Sequence, residues 1–152
     1  MTVVEASVVV EAPPEDVWDV VADPRNLPRW DRHIIRVDGV PQAGLRKGSE
    51  YSTELRFMGA RAHSTVKIVE LRKSEYAKIR IHGLLDAEVE TWIQPFGDGR
   101  SRLRHRVDYR FKGGPLGELA AGAVRVLGAQ AILKRGVLAQ KRQAEEEASS
   151  RP

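Results

Sequence analysis

The sequence contains no cysteine, and aromatic residues make up only 6% of its 152 positions. The lack of cysteine excludes disulfide bonds, thiolate catalysis and zinc sites with cysteine ligands. It is also typical of a reducing compartment, and we therefore expect a cytoplasmic protein. The scarcity of aromatic side chains matters for the interior, because few large rings are available to fill a wide core.

Long apolar runs are missing as well. No segment approaches the roughly 18 apolar residues that a membrane-spanning helix needs, and residues 1–5 show no basic region ahead of an apolar one. We therefore expect no signal peptide and no integral membrane contact. The hydrophobic content of 41% is ordinary for a globular protein. The chain length predicts one domain, residues 1–144, followed by a polar tail, residues 145–152.

The excess of positive charge is small. Twenty-five basic and 21 acidic residues leave a net charge of +4, which is compatible with acidic partners but does not require them. Four arginines share the outer face of one predicted strand: Arg102, Arg104, Arg106 and Arg110. A nucleic-acid surface would interleave stacking aromatic residues with such a stripe, and only Trp92 is a candidate. We therefore expect a solvated face whose arginines pair with Glu88 and Glu90 of the next strand, and no nucleic-acid partner.

Alternation of apolar and polar residues predicts seven β-strands. The period-two pattern covers residues 3–12, 34–40, 50–57, 60–68, 76–82, 87–95 and 102–111. Met58 and Gly59 form a candidate two-residue hairpin turn, because glycine readily adopts positive φ. Pro13-Pro14 and Asp23-Pro24 bound one short helix after the first strand, and a second short helix covers residues 26–30.

Apolar residues then recur at spacings of three and four, which predicts an amphipathic helix over residues 115–143. At 1.5 Å per residue this helix would be about 40 Å long and would cross a small domain. Four glycines weaken it in isolation: Gly117, Gly122, Gly128 and Gly136. The helix therefore needs packing, and we expect Leu119, Ala123 and Leu127 to lie against the inward face of the sheet.

This order of elements predicts an internal cavity. The apolar face of a seven-stranded sheet must be buried, and the long helix is the element available to cover it. One helix is about 10 Å wide, which is too narrow to fill a strongly curled sheet. Many of the inward residues are small: Thr53, Ala60, Ala62, Ser64 and Thr91. We therefore expect a hollow that holds a small hydrophobic ligand.

Four short motifs resemble those of a known family. Residues 11–18 (EAPPEDVW) and 23–30 (DPRNLPRW) resemble the opening of the START-like superfamily, also called SRPBCC or polyketide cyclase/dehydrase. The Gly-Asp-Gly hairpin at residues 97–99 and the segment 112–117 (KGGPLG) are similar to the same family. The resemblance covers the whole chain in the right order.

The resemblance implies an α+β helix-grip fold of the START and Bet v 1 type. In this fold a seven-stranded antiparallel sheet curls around a long C-terminal helix, with two short helices after strand 1. It also implies a ligand, since members bind lipids, polyketides, plant hormones or quinones, and some are aromatase/cyclases. The motifs specify the scaffold and not the ligand.

The expected ligand-binding residues lie on the inward faces of these elements. They are Trp30, Tyr51, Thr53, Leu55, Phe57, Ile79, Ile81, Thr91, His105, Tyr109, Leu119, Ala123 and Leu127. Tyr51 and Tyr109 have an apolar ring and a polar tip that suits a ligand carbonyl or hydroxyl, with plain core filling as the alternative. Trp30 lies where the family has its pocket mouth, where it either gates the pocket or, as we favour, anchors its helix.

His105 is the leading candidate for chemistry. A neutral imidazole facing the pocket could act as an acid, a base or a donor that orients a ligand. The alternative is a core histidine bonded to a neighbour or a water. The catalytic candidates are His105, Tyr109 and Tyr51. The histidines at 33, 63, 82 and 105 share no ligand spacing, so we expect no metal and no cofactor.

We favour a carrier or sensor that binds one lipid-like or polyketide-like molecule. The alternatives are a polyketide aromatase/cyclase and an interaction protein with a vestigial pocket. The aromatase/cyclases of the family use an inward arginine and several inward tryptophans. In this sequence Thr91 stands at one such tryptophan position and the strand arginines point outward, which argues against an enzyme. The oligomeric state is left open between a monomer and a weak dimer.

Overall fold

A computed structural model describes residues 2–57 and 59–151, in which seven strands form one sheet. The strands are β1 (Thr2–Val10), β2 (Ile34–Asp38), β3 (Glu50–Phe57), β4 (Ala60–Arg72), β5 (Tyr76–His82), β6 (Leu85–Pro95) and β7 (Ser101–Phe111). Their order across the sheet is β1-β7-β6-β5-β4-β3-β2, and every neighbouring pair is antiparallel. The first and last strands are therefore partners, and β1 and β2 form the two edges.

The helices are α1 (Pro14–Val21), a 3₁₀ turn (Pro24–Asn26), α2 (Leu27–Trp30), α3 (Pro115–Leu127) and α4 (Ala129–Ser149). Pro14 begins α1, where the missing N–H has no helical partner to lose. Glu15 and Asp16 place negative charge at the positive end of that helix. Asp23 caps the next turn by accepting from the backbone N–H of Arg25 at 3.1 Å. The predicted seven strands and two short helices after the first strand are confirmed.

The helix expected over residues 115–143 is divided at Gly128. The two parts, α3 and α4, meet at 78°. Gly128 has φ +82°, a region that glycine adopts without the steric cost of a side chain. In the described part of the chain, no single helix is long and apolar enough to cross a membrane; α3 and α4 pass that test only as a bent pair.

The division changes which residues α3 buries. Its buried positions are Gly117 and Ala120, and a Cβ on Gly117 would overlap the carbonyl of Lys112. Leu119 is 39% exposed. Leu127 is likewise 41% exposed. Neither leucine is therefore packed against the sheet as expected, because α3 leaves the axis of α4 and sits by its backbone on the end of β7.

The longer helix, α4, is fixed along the edge strand β1 and against α1 and α2. Buried apolar side chains from α4, β1, α1 and β7 form one core: Val10, Val17, Leu103, Val137 and Ala144. Two side chains of α4 also donate to backbone carbonyls of β1. Gln130 Nε2 bonds the carbonyl of Glu5, and Lys141 Nζ bonds that of Val9 at 2.8 Å. Because α4 lies toward β1, the inward faces of the middle strands are left without a close helical partner.

Candidate ligand-binding cavity

A cavity of about 760 Å³ lies between the inward face of the sheet, α2 and α4. Four strands, β4 to β7, supply apolar side chains to its wall: Ile68, Ile79, Ile81, Val89 and Val107. The opposite wall comes from α4, which contributes Ile132 and Leu133. Its size is that of pockets that enclose a small organic molecule, and such pockets are mostly apolar with a few polar groups.

One chain of polar groups crosses this wall. Thr91 and His105 are direct partners in the register of β6 and β7, and Thr91 Oγ1 lies 2.7 Å from His105 Nδ1. The other ring nitrogen, Nε2, lies 2.6 Å from Oε1 of Gln140 on α4. All three residues are buried. The sheet and the helix are therefore joined by hydrogen bonds beside the cavity.

These contacts define the protonation of His105. An amide oxygen only accepts, so Nε2 carries a proton and donates it to Gln140. Burial lowers the pKa of His105, opposed by the bond to Gln140, and the ring is neutral at pH 7. In the neutral ring Nδ1 has a lone pair and accepts the hydroxyl proton of Thr91. Both nitrogens are thus engaged, as in the alternative of a core histidine bonded to its neighbours.

Tyr51 provides a polar atom that is not engaged. The residue lines the cavity and packs against Val66 and Ile68. Burial raises the pKa of its hydroxyl, so the phenol is neutral and able to donate. No hydrogen-bond partner of this hydroxyl occurs among residues 2–57 and 59–151. A ligand carbonyl or hydroxyl in the cavity could therefore pair with it.

Trp30 also lines the cavity, and its indole Nε1 donates to Oε1 of Gln143 at 2.8 Å. Gln143 is itself buried and donates to Glu147 at 3.1 Å. The indole is therefore fixed to α4, which is the contact expected of a residue that anchors its helix. This geometry supports the anchoring interpretation of Trp30 over gating.

Seven of the predicted ligand-binding residues line the cavity: Trp30, Tyr51, Ile79, Ile81, Thr91, His105 and Leu127. Five lie elsewhere: Thr53, Leu55, Tyr109, Leu119 and Ala123. Tyr109 is four residues beyond His105 on β7, about 13 Å along the strand, and its ring packs edge-on against Phe111. The predicted pairing of His105 with Tyr109 for proton transfer is therefore not assembled. The side chain of Phe57, and Met58 of the predicted turn, lie outside the described residues.

The small inward residues of the sheet do not mark the position of the cavity. Of the five small residues that predicted a hollow, only Thr91 lines the cavity. At Ser64 the neighbour is backbone, because a Cβ on Gly83 would lie 2.8 Å from the Cα of Ser64. The backbone and side chain of Ser64 therefore leave no room for a side chain on Gly83.

The sequence interpretation missed Gln140 and Gln143. Both are buried polar residues of α4, three positions apart, and each holds a ring of another element. The available signal was a glutamine pair at helical spacing within an apolar stripe. Within the described residues, no group of three or more His, Asp or Glu side chains could hold a metal ion.

The outer face of the sheet carries the expected charge pairs. Arg106 lies 3.6 Å from Glu90 of the adjacent strand, which confirms that predicted pairing. Glu88 is different, since its partners come from β5 instead of β7: Lys78 at 3.4 Å and Arg80 at 2.9 Å. Most of the outward arginines are therefore neutralised within the sheet.

Trp92 lies on this outer face. The guanidinium of Arg104 covers its ring at 4.6 Å, and the ring of Tyr76 lies 5.6 Å away at a tilt. A ring covered in this way is not free to stack on a base, which gives the nucleic-acid interpretation no support.

A family model described as polyketide cyclase/dehydrase and lipid transport matches residues 1–145. The chain belongs to this family. The predicted START-like resemblance is thereby confirmed. No curated protein matches the sequence.

Several solved structures have the same fold as this chain. TTHA0849 from Thermus thermophilus has a TM-score of 0.75 at 17% identity, covering 99% of this chain and 100% of that one. A START superfamily protein from Mycobacterium smegmatis has a TM-score of 0.68 at 17% identity, covering 95% and 98%. The Streptomyces aromatase/cyclase Zhui has a TM-score of 0.69 at 16% identity, covering 97% and 93%. These matches confirm the α+β helix-grip fold.

Proposed function

We propose that this family member is a carrier or sensor that binds one small hydrophobic molecule, lipid-like or polyketide-like, between the sheet and α4. The cavity of about 760 Å³, with its apolar walls, is the observation that carries the proposal. Burial of apolar ligand surface is worth about 25 cal/mol per Å². A ligand that buries about 300 Å² would therefore gain about 7.5 kcal/mol before the cost of association.

The polar groups of the wall support binding over catalysis. The ring nitrogens of His105 are both hydrogen-bonded to protein groups, so neither is available as a general acid or base without breaking a buried contact. Tyr51 is the candidate that remains free to meet a ligand. One hydroxyl orients a ligand but does not supply the acid–base pair that proton transfer needs.

The second candidate function is that of a polyketide aromatase/cyclase. The fold shared with Zhui and the family description favour it. Against it, Tyr109 lies outside the cavity and the ring of His105 is engaged. The third candidate, an interaction protein with a vestigial pocket, is disfavoured because a vestigial pocket would be filled.

A titration with the neutral fluorescent probe N-phenyl-1-naphthylamine tests the proposal. We expect saturable binding by wild type and loss of binding in Ile81→Trp, which places an indole in the cavity. The matched control is Arg80→Trp, which adds the same group on the outer face of the same strand and should bind as wild type does. Equal binding by all three proteins, or none by wild type, would contradict the proposal.

Incubation with polyketide and lipid candidates separates carrier from enzyme. We expect binding without conversion in a product assay by mass spectrometry. Conversion by wild type that is lost in His105→Ala, with affinity kept, would instead establish the enzyme, because removal of a general acid–base group costs about 100- to 10,000-fold in rate.

A further inference from the structure

Positive charge predominates among the charged residues that line the cavity. Its lining includes four arginines and a single carboxylate, Asp31. The arginines, which we call the mouth arginines, are Arg29, Arg32, Arg135 and Arg142. All four are exposed, whereas the apolar lining on the strands is buried or half-buried. The cavity therefore runs from an apolar interior to a positively charged rim.

Most of these arginines have no acidic partner. Arg29 has one long contact with a carboxylate, 3.9 Å from its guanidinium to Glu147. Arg32, Arg135 and Arg142 have no carboxylate within 4.0 Å in the described parts of the chain. On the outer face of the sheet, by contrast, Arg104, Arg106 and Arg110 are each paired. The rim is thus a site where positive charge is left uncompensated.

The mouth arginines come from two elements that are held together. Arg135 and Arg142 are seven residues apart on α4, which puts them on one side of the helix about 10 Å apart. The bond from Trp30 to Gln143 fixes α2 beside the same stretch of α4. Arg32 lies two residues beyond the end of α2, and Arg142 is the neighbour of Gln143 on α4. An anion at the rim can therefore meet arginines from both segments.

We infer that the ligand of this cavity is an anionic amphiphile, with an apolar body among the isoleucines and a carboxylate or phosphate head at the mouth arginines. This inference rests on the proposed binding function and narrows its ligand class. Guanidinium groups match the planar geometry of carboxylate and phosphate oxygens. An apolar wall behind the rim strengthens their attraction, because low-dielectric material excludes screening water. A cationic ligand would be repelled, and a neutral one would leave the rim uncompensated.

Competition between ligands of one chain length tests the inference. Decanoate, decyl phosphate and decanol are each titrated against bound N-phenyl-1-naphthylamine at low and high salt. We expect decanoate or decyl phosphate to displace the probe at about 5- to 30-fold lower concentration than decanol. The advantage should shrink at high salt, since exposed charges are screened. The two anions distinguish a carboxylate site from a phosphate site.

The variant Arg135→Gln/Arg142→Gln should lose most of the anion advantage and still bind the neutral probe. The control Arg125→Gln/Lys134→Gln removes the same charge from exposed positions that do not line the cavity, and it should keep the advantage. Equal displacement by decanol and both anions, with the probe bound, would overturn the inference and leave the proposed function intact. An anion advantage that survives in Arg135→Gln/Arg142→Gln would also overturn the inference and leave the proposed function intact. Failure of the wild type to bind the probe would instead overturn the proposed function.

Discussion

The imidazole Nε2 of His105 lies 2.6 Å from the amide oxygen of Gln140, which joins the middle of β7 to the middle of α4. Both groups are buried, and the bond spans the wall of the cavity. The bond fixes the position of α4 along the sheet, because a directional hydrogen bond is lost when the helix shifts, whereas apolar contacts are less specific. In the free protein, the polar residues of the cavity wall therefore stabilise the packing of α4 on the sheet.

Removal of the amide should destabilise the fold. In Gln140→Leu the Nε2–H of His105 loses its acceptor in a buried place, and we expect the free energy of unfolding to fall by about 1–3 kcal/mol. Urea unfolding followed by circular dichroism measures the change. Lys134→Leu, an exposed position of the same helix, is the control and should change stability by less than about 0.5 kcal/mol. Equal stability of the two variants would show that the bond contributes nothing.

Stability should depend on pH through His105. Burial lowers the pKa of this ring from its ordinary value of 6.5, so between the two values the unfolded chain binds a proton that the folded chain does not. Stability is therefore full above about pH 6.5 and falls as the pH drops below it, by up to about 1.4 kcal/mol per unit.

Urea unfolding of wild type and His105→Leu at several pH values isolates this contribution. The difference between the two proteins should shrink as the pH falls from about 7 to about 5. The lowered carboxyl pKa values of Asp86 and Glu88 act only at lower pH, and they are common to both proteins. A difference that stays constant over this range would contradict a neutral, buried ring.

The hydroxyl of Tyr51 should affect binding without affecting stability, because it has no partner in the described residues of the protein. We expect Tyr51→Phe to weaken binding of a hydrophobic ketone such as 2-undecanone by about 0.5–1.5 kcal/mol. Displacement of N-phenyl-1-naphthylamine measures the affinity, and thermal unfolding checks the fold. The matched control is Tyr109→Phe, outside the cavity, which should leave affinity unchanged. A loss of the same size in both variants would exclude a direct contact with Tyr51.

Two glycines of the C-terminal helices should respond to alanine with opposite signs. Gly128 has φ +82°, so Gly128→Ala should lower the free energy of unfolding by about 1–2 kcal/mol. Gly136 lies inside α4, where a Cβ would meet no atom within 4 Å apart from the adjoining backbone of its own helix. Gly136→Ala should therefore raise the free energy of unfolding by about 0.5–1 kcal/mol. Chemical denaturation measures both. Unchanged or raised stability in Gly128→Ala would show that the break at Gly128 is not a fixed joint, and lowered stability in Gly136→Ala would contradict the second prediction alone.

The strands were predictable because their signal is local. In β7 the alternation of arginines with apolar residues identifies the inward side of each position, and His105 and Tyr109 do share a side. Whether an inward residue reaches the cavity depends on its distance along the strand from α4, which the alternation does not contain. For that reason His105 lies at the wall of the cavity, whereas Tyr109 on the same side of the strand does not.

Local sequence patterns could not predict the break at Gly128 or the hydrogen-bond partner of His105. Helix propensity assigns a cost to glycine but gives no direction in which the chain turns. Gln140 is 35 residues from His105 in sequence, and their contact depends on how far α4 has shifted along the sheet. That shift is set by packing of Val137 and Ala144 on β1 and α1, so it appears only in three dimensions.

The contacts of α4 with β1 have a consequence for how the chain behaves in a crowded solution. An open sheet exposes backbone groups at its edge strands, and such an edge is a template on which another chain can add a strand and aggregate. At β1 the carbonyls of Glu5 and Val9 already accept from Gln130 and Lys141. The side chains that fix the helix therefore also shield one edge of the sheet against self-association.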